Sequence, residues 1–180
     1  MVTMNALLAH LTNDIGAGFA AGFQHPWGGW DHFLAMLAVG LWAAQSQPLR
    51  LWKAPAFFVG GMIGGIFLAM VNPAESLVEG MIMASVVVSG LLLMFRFHTL
   101  LPVSLCLLAV FGMFHGAAHA LERGDVGSGD AYFAGMVAGT TLLHAIGVLL
   151  GLVTERLHRG LLQAVGALMV LTVPLSLFFA

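Results

Sequence analysis

The stretch TLLPVSLCLLAVFGMFHGAAHALE, residues 99–122, decides the fold of this chain, because a long apolar run there ends in two histidines and a glutamate. A second stretch, HPWGGWDH at residues 25–32, places two histidines and an aspartate at the start of another apolar run. A membrane-spanning helix needs about 20 mostly apolar residues, and both runs are typical of such helices. Ionisable groups at or inside a bilayer are costly, so their default interpretation is functional.

Composition favours a membrane protein along the whole chain. Of the 180 residues, 8% are charged and 60% are hydrophobic, with a mean hydropathy of +0.99, whereas soluble domains average about 25% charged residues. The formal net charge of −2 is too small to predict a nucleic-acid partner. Cys106 is the single cysteine, so no intrachain disulfide forms, and its apolar surroundings predict a packed side chain. We therefore expect an all-α bundle in a lipid bilayer, with residues 1–180 as one transmembrane domain.

Six apolar segments separated by Gly, Pro and polar residues are long enough to span or nearly span a bilayer. The predicted spans are residues 29–47, 54–72, 77–95, 99–121, 131–153 and 160–179. Residues 4–23 are a weaker candidate, which predicts a short N-terminal helix or a partly unwound segment before the first span. The first nine residues contain no Lys or Arg, so we expect this stretch to be retained rather than cleaved.

The distribution of basic residues predicts the orientation. Five of them lie in the first, third and fifth connections, and one lies on the opposite side: Arg50, Lys53, Arg96, Arg156 and Arg159 against Arg123. The positive-inside rule then gives an N-out, C-out topology. Glycines four residues apart, as in Gly60/Gly64 and Gly61/Gly65, predict close helix packing, and a homo-oligomer through such glycine-rich faces is a further expectation.

The second histidine cluster has the spacing of metal ligands on one helical stripe. His115, His119 and Glu122 stand at i, i+4 and i+7, and paired imidazoles one turn apart bind zinc in helical sites. The stripe ends its helix, where the dipole favours a cation. The sequence therefore predicts a site for a divalent metal ion.

In the first cluster, Pro26 and the two following glycines argue against a continuous helix between His25 and Trp30. We expect an unwound chain that enters the next helix at about Trp30, with Asp31 and His32 in the first turn and His25 folding back toward them. Asp31 is alternatively only a helix N-terminal charge favoured by the dipole. Both clusters fall at the outer ends of their spans, so they are predicted to meet. The predicted ligands are His25, Asp31, His32, His115, His119 and Glu122.

Other polar residues are candidates for accessory or pathway roles. His10 is a candidate outer ligand, and Met36 lies one turn after His32. His144 lies near the middle of the fifth predicted span, where it is either a deeper relay point or a neutral histidine bonded to a neighbouring helix. His98 and His158 stand near cytoplasmic arginines, and we expect both to be solvated.

These motifs resemble the HupE/UreJ family of nickel/cobalt permeases. The resemblance is strongest over residues 25–44, which match a His-x5-Asp-His signature, and residues 114–122 are similar to the family's second histidine motif, with Ala120 where glycine is expected. The resemblance implies uptake of Ni²⁺ or Co²⁺ across the bacterial inner membrane, with the ion as substrate and no prosthetic group. Imidazole and carboxylate ligands suit Zn²⁺ as well, so the residues alone leave the metal open.

The expected function is a secondary permease rather than an enzyme, since no phosphate-binding loop for ATP occurs in the sequence. A membrane zinc metallohydrolase is an alternative, for which Glu122, Ser85 and Ser89 are weak candidate catalytic groups. A haem-binding electron carrier is disfavoured, because His115 and His119 on one helix face cannot occupy opposite axial positions of one haem.

Overall fold

The structure is a computed structural model that describes residues 4–46, 50–71, 73–97, 100–124 and 127–179; within these ranges the side chains of 4–11, 159 and 176–179 are not described. Seven helices and no strand occur in these ranges, so the predicted all-α membrane bundle is confirmed. In chain order the helices are α1 Met4–Gly28, α2 Trp30–Gln45, α3 Arg50–Ala69, α4 Glu75–Phe95, α5 Leu101–Glu122, α6 Gly129–Leu157 and α7 Arg159–Phe179.

Four of the described helices, α3 to α6, are long and apolar enough to cross a membrane by length and composition. Helix α2 has 16 residues, so it is about 24 Å long at about 1.5 Å per residue, short of a hydrocarbon core of about 30 Å. The apolar stretch Gly160–Leu175 of α7 is also shorter than a full span. The total of six crossings therefore stays a prediction.

The N-terminal helix corrects an expectation. Helix α1 has 25 residues and continues through Pro26 to Gly28, so neither a short helix nor an unwound segment from His25 to Trp30 occurs. Pro26 is buried, and α1 packs along α6 so closely that a Cβ on Gly22 would collide with the Tyr132 backbone. This packing outweighs the hydrogen bond that one proline removes. The predicted start of α2 at Trp30 is confirmed.

Helices α1 and α2 pack one after the other along α6. Gly18 of α1 approaches Ser128 just before α6, whereas Gly40 of α2 approaches His144 farther along it. The break at Gly29 therefore lies partway along the 29-residue α6 rather than at its end. Non-helical backbone inside a bilayer is tolerated where it lines a cavity or is buried in protein, and a pocket of about 340 Å³ lined by Gly28 and Gly29 lies at this break.

The core contains large apolar side chains from several helices, including Trp42, Phe58 and Tyr132, each at most 1% exposed. Cys106 of α5 is instead exposed, so the expectation of a packed thiol is wrong. Its side chain points away from the bundle, where a bilayer rather than protein would cover it.

The connections near the ends of α2, α4 and α6 are tied by polar contacts. Arg96 donates two hydrogen bonds to the Glu155 carboxylate, at 2.7 and 3.0 Å, and this carboxylate raises the pKa of Arg96. Gln45 donates to the Leu93 carbonyl at 3.1 Å, and Trp42 donates from its indole nitrogen to the Phe97 carbonyl at 3.3 Å. These contacts hold one end of the bundle together, at the end opposite the two histidine clusters.

Candidate metal site

Four helix ends bring the two histidine clusters together. His25, near the end of α1, lies with its Nε2 3.1 Å from Glu122 Oε2 at the end of α5. The His25 ring centroid is 4.8 Å from that of His119 and 5.9 Å from that of Tyr132, which belongs to the first turns of α6. One possible ligand atom from each of His25, His119 and Glu122 lies within 4.8 Å of the other two, so these residues can share one ion.

Asp31 and His32 form a pair in the first turn of α2. The Asp31 Oδ1 atom accepts the His32 backbone N–H at 2.7 Å and lies 2.9 Å from His32 Nδ1. A histidine whose one nitrogen donates to a carboxylate presents the other nitrogen as a lone pair, which is the usual arrangement behind a metal-binding imidazole. His32 Nε2 is indeed buried, with no hydrogen-bond partner among the described residues.

The His32 ring of the first cluster contacts both histidine rings of the second cluster. Its centroid lies 4.6 Å from that of His119 and 4.8 Å from that of His115. His115 and His119 are both 0% exposed, so these imidazoles are shielded from solvent by protein. The three rings thus form a continuous group in which each touches another.

Ser85 of α4 orients His115. Its hydroxyl lies 2.6 Å from the Ile82 carbonyl, to which it donates, and 2.9 Å from His115 Nε2. Because a hydroxyl has one proton, Ser85 then accepts from His115 Nε2–H, and His115 Nδ1 carries the lone pair. That Nδ1 atom is buried and unpartnered within the described part of the chain, as are both ring nitrogens of His119.

These unpartnered nitrogens carry an energetic cost. A buried polar atom without a partner costs about 1–3 kcal/mol, and His32, His115 and His119 each contribute at least one such atom. A metal ion bound to one of these rings would satisfy a free lone pair there. The donors are imidazole nitrogens with the Glu122 carboxylate, a set that suits Zn²⁺, Ni²⁺ and Co²⁺.

Two hollows reach the site, and Glu122 lines both. One, of about 340 Å³, is also lined by His25 and His32. The other, of about 450 Å³, is lined by Glu75 and Glu79 between α4 and α5. The Glu122 side chain is 53% exposed, whereas the His115 and His119 rings are buried.

The structure brings all six predicted site residues into one region, but not all of them contact one another. Asp31 contacts His32 rather than the triad of His25, His119 and Glu122. Sequence reasoning missed the hydrogen bond of Ser85 to His115 and the ring of Tyr132 beside His25, since neither residue belongs to a recognisable motif. His158 is exposed, as expected. The side chain of His10 and the whole of His98 lie outside the described residues.

The structure is a helical membrane bundle with a cluster of buried imidazoles, and comparison with known proteins shows the family. The sequence matches the family described as HupE / UreJ protein over residues 1–175. Protein HupE of Rhizobium leguminosarum bv. viciae is 37% identical over 131 residues, which cover 73% of this chain and 69% of that protein. No solved structure matches the chain.

The chain therefore belongs to the HupE/UreJ family, and the predicted resemblance is confirmed. The family consists of membrane metal-transport or accessory proteins and is not an enzyme family. The expectation of a non-enzyme is thereby confirmed, and the metallohydrolase alternative is set aside.

Proposed function

We propose that this protein is a secondary permease that takes up a divalent transition-metal ion, Ni²⁺ or Co²⁺, across the bacterial inner membrane. The observation that carries the proposal is the set of free, buried ring nitrogens on His32, His115 and His119. They come from α2 and α5, and the His119 ring lies beside His25 and Glu122. An N-out, C-out topology would make this end of the bundle the outer one.

In this proposal the six residues have two kinds of role. The ion is bound by four imidazoles and one carboxylate: His25, His32, His115, His119 and Glu122. Asp31 orients His32 and supplies negative charge close to the ion, as carboxylates behind metal-binding histidines do. The ion is the substrate, and the proposal requires no prosthetic group.

The membrane potential is sufficient to drive such uptake. One elementary charge gains about 2.3 kcal/mol per 100 mV, so a divalent cation gains about 4.6 kcal/mol. At about 1.4 kcal/mol per tenfold change, this free energy supports accumulation by roughly three orders of magnitude. No ATP hydrolysis is needed.

The preference for nickel or cobalt rests on the family, because the ligand chemistry also admits Zn²⁺. Accumulation of radioactive Ni²⁺, Co²⁺ and Zn²⁺ in cells that express the protein tests the proposal. We expect accumulation of Ni²⁺ or Co²⁺ that collapses when an uncoupler removes the membrane potential. Cells expressing a His119→Ala variant at equal membrane levels are the control. Equal accumulation with wild type, with His119→Ala and without the protein would contradict the proposal.

A further inference from the structure

The buried rings continue inward from the metal site through an aromatic side chain. Phe58 of α3 is 1% exposed, and its ring centroid lies 5.3 Å from that of His115. The ring centroid of His144 in α6 lies 5.0 Å from the centroid of the same Phe58 ring. Phe58 thus lies between the outer histidines and a histidine that takes no part in the site described above.

His144 is not satisfied as a structural histidine would be. It is 1% exposed, and neither ring nitrogen has a hydrogen-bond partner of good geometry within the described residues. The Thr140 carbonyl, one helical turn earlier, is the backbone group that approaches the ring. Even if one nitrogen donates to this carbonyl, the other remains a buried lone pair without a donor.

Two thioethers and a hydroxyl lie on the same side of α6. Thr140 Oγ1 is 3.3 Å from Met36 Sδ of α2 and 3.6 Å from Met62 Sδ of α3. All three residues are 0% exposed. Since a hydroxyl carries one proton, Thr140 donates to one sulfur at a time. At the other sulfur, the lone pairs of the hydroxyl oxygen and of the sulfur face each other.

Three helices therefore converge on a buried group that is rich in acceptor atoms and poor in donors. Thr140 and His144 share a face of α6, because residues four apart on a helix are neighbours. The hydrogen bonds and ring contacts described for these residues include no charged side chain. A cation would satisfy the free acceptor atoms of such a group.

We propose that this group is an inner transit site for the transported metal ion; we call it the inner cluster, and it consists of Met36, Met62, Thr140 and His144. The inference rests on the proposed permease function and extends it. Thioether and imidazole ligands suit late transition metals, whereas Mg²⁺ and Ca²⁺ require oxygen ligands. The inner cluster therefore rejects hard divalent cations, and its lack of charge lets the accepted ion leave.

The coordination of Ni²⁺ tests the inner cluster without any transport measurement. The purified full chain with His119→Ala and Glu122→Gln has a weakened outer site, and Ni²⁺ is titrated to saturation and studied by X-ray absorption spectroscopy. We expect sulfur in the Ni²⁺ coordination shell, lost when Met36→Leu and Met62→Leu are added. Leu and Met are close in volume, so the fold tolerates these changes. Met169→Leu, at a buried methionine of α7, is the matched control and retains the sulfur signal.

A shell without sulfur, or one that the two methionine substitutions leave unchanged, overturns the inner cluster.

In vesicles with an inside-negative potential, we further expect Met36→Leu with Met62→Leu to lose at least tenfold in preference for Ni²⁺ over Mg²⁺. His144→Leu should reduce Ni²⁺ uptake at least tenfold, and Met169→Leu should match wild type. Wild-type preference and rate in all of these variants would also overturn the inference. Wild-type vesicles that take up no Ni²⁺ would contradict the permease function, whereas sulfur coordination would still support the inner cluster.

Discussion

At the scale of single residues, the site depends on groups that act on the ligands through hydrogen bonds. Asp31 accepts from His32, and Ser85 accepts from His115, so each histidine keeps its other ring nitrogen as a free lone pair. Partners of this kind typically change metal affinity 10- to 100-fold when they are lost. The two residues differ in charge, which separates their expected effects.

Asp31→Asn should abolish uptake while the protein still folds, because asparagine keeps the shape but removes the charge that orients His32 and offsets the positive end of the helix dipole. Metal accumulation at equal membrane expression measures this. Adding His119→Ala should cause little further loss, since residues that serve one site act as a unit. His158→Ala, at an exposed position, should be nearly silent. Normal transport by Asp31→Asn would show that the aspartate has no role in the site.

Ser85→Ala should weaken Ni²⁺ binding about tenfold, because His115 Nε2 loses its partner and the ring loses its orientation. Equilibrium binding to purified protein measures this affinity. Ser89→Ala is the matched control: Ser89 is one turn further along α4, also buried, and has no described hydrogen bond to a histidine. Equal affinities of the two variants would argue against an orienting role for Ser85.

Uptake should weaken as the external pH falls from 7.5 to 5.5. A histidine binds metal through a neutral nitrogen, so protons compete with the ion for the same ring nitrogens. The loss should reverse when the pH is restored. Initial rates at a constant membrane potential test this direction, and a rate that does not fall at any pH at which the protein stays folded would argue that imidazoles are not the ligands.

At the scale of helices, glycines allow backbones to approach, and their positions are specific. Gly61 and Gly65 of α3 face the backbone of α5, and Gly112 and Gly116 of α5 face the backbone of α3. These contacts hold Phe58 and Met62 against α5, the helix that carries His115 and His119. Gly60 and Gly64 have nothing within 4 Å, so a contact between copies of the chain, which stays a prediction, has this face available.

Gly65→Ala should destabilise the protein by about 1–3 kcal/mol, because the added methyl group overlaps the Met113 carbonyl and forces the helices apart. Gly64→Ala should be neutral or slightly stabilising, since alanine is the better helix former. Thermal unfolding in detergent compares this pair of neighbouring, chemically identical substitutions. Equal melting temperatures would contradict the described packing of α3 on α5.

At the scale of the whole molecule, the two ends of the bundle differ. The end with the histidine clusters carries the hollows lined by glutamates, and the other end is held by the Arg96–Glu155 pair and the hydrogen bonds of Gln45 and Trp42. The two hollows lined by Glu122 therefore lead to the histidine clusters from this end of the bundle. The distribution of basic residues predicts which end faces outward.

Cysteine labelling from each side of the membrane tests that orientation. In a Cys106→Ala background, a cysteine at Trp52 should react only with reagent on the cytoplasmic side, and one at Met70 only from outside. Both positions are exposed, at 62% and 80%, so a lack of reaction would not arise from burial in the protein. Labelling of position 52 from the outside alone would reverse the assignment.

The sequence by itself determined the all-α fold class and the family, and it predicted that the two histidine clusters meet. Hydropathy and the short histidine motifs are local properties, so they are readable without knowing which helices touch. The start of α2 at Trp30 is equally local, because the two glycines before it mark the break.

Only the tertiary structure decided how the site residues pair. His25 lies beside Glu122, 97 positions away, and Ser85 supports His115 across 30 positions. The continuation of α1 through Pro26 likewise depends on its packing against α6. Such contacts depend on which helices neighbour one another and how they are rotated, and residues distant in the sequence set both. For the same reason Phe58 and Met62, which look like ordinary core residues in the sequence, lie beside His144 and Thr140 only in the folded bundle.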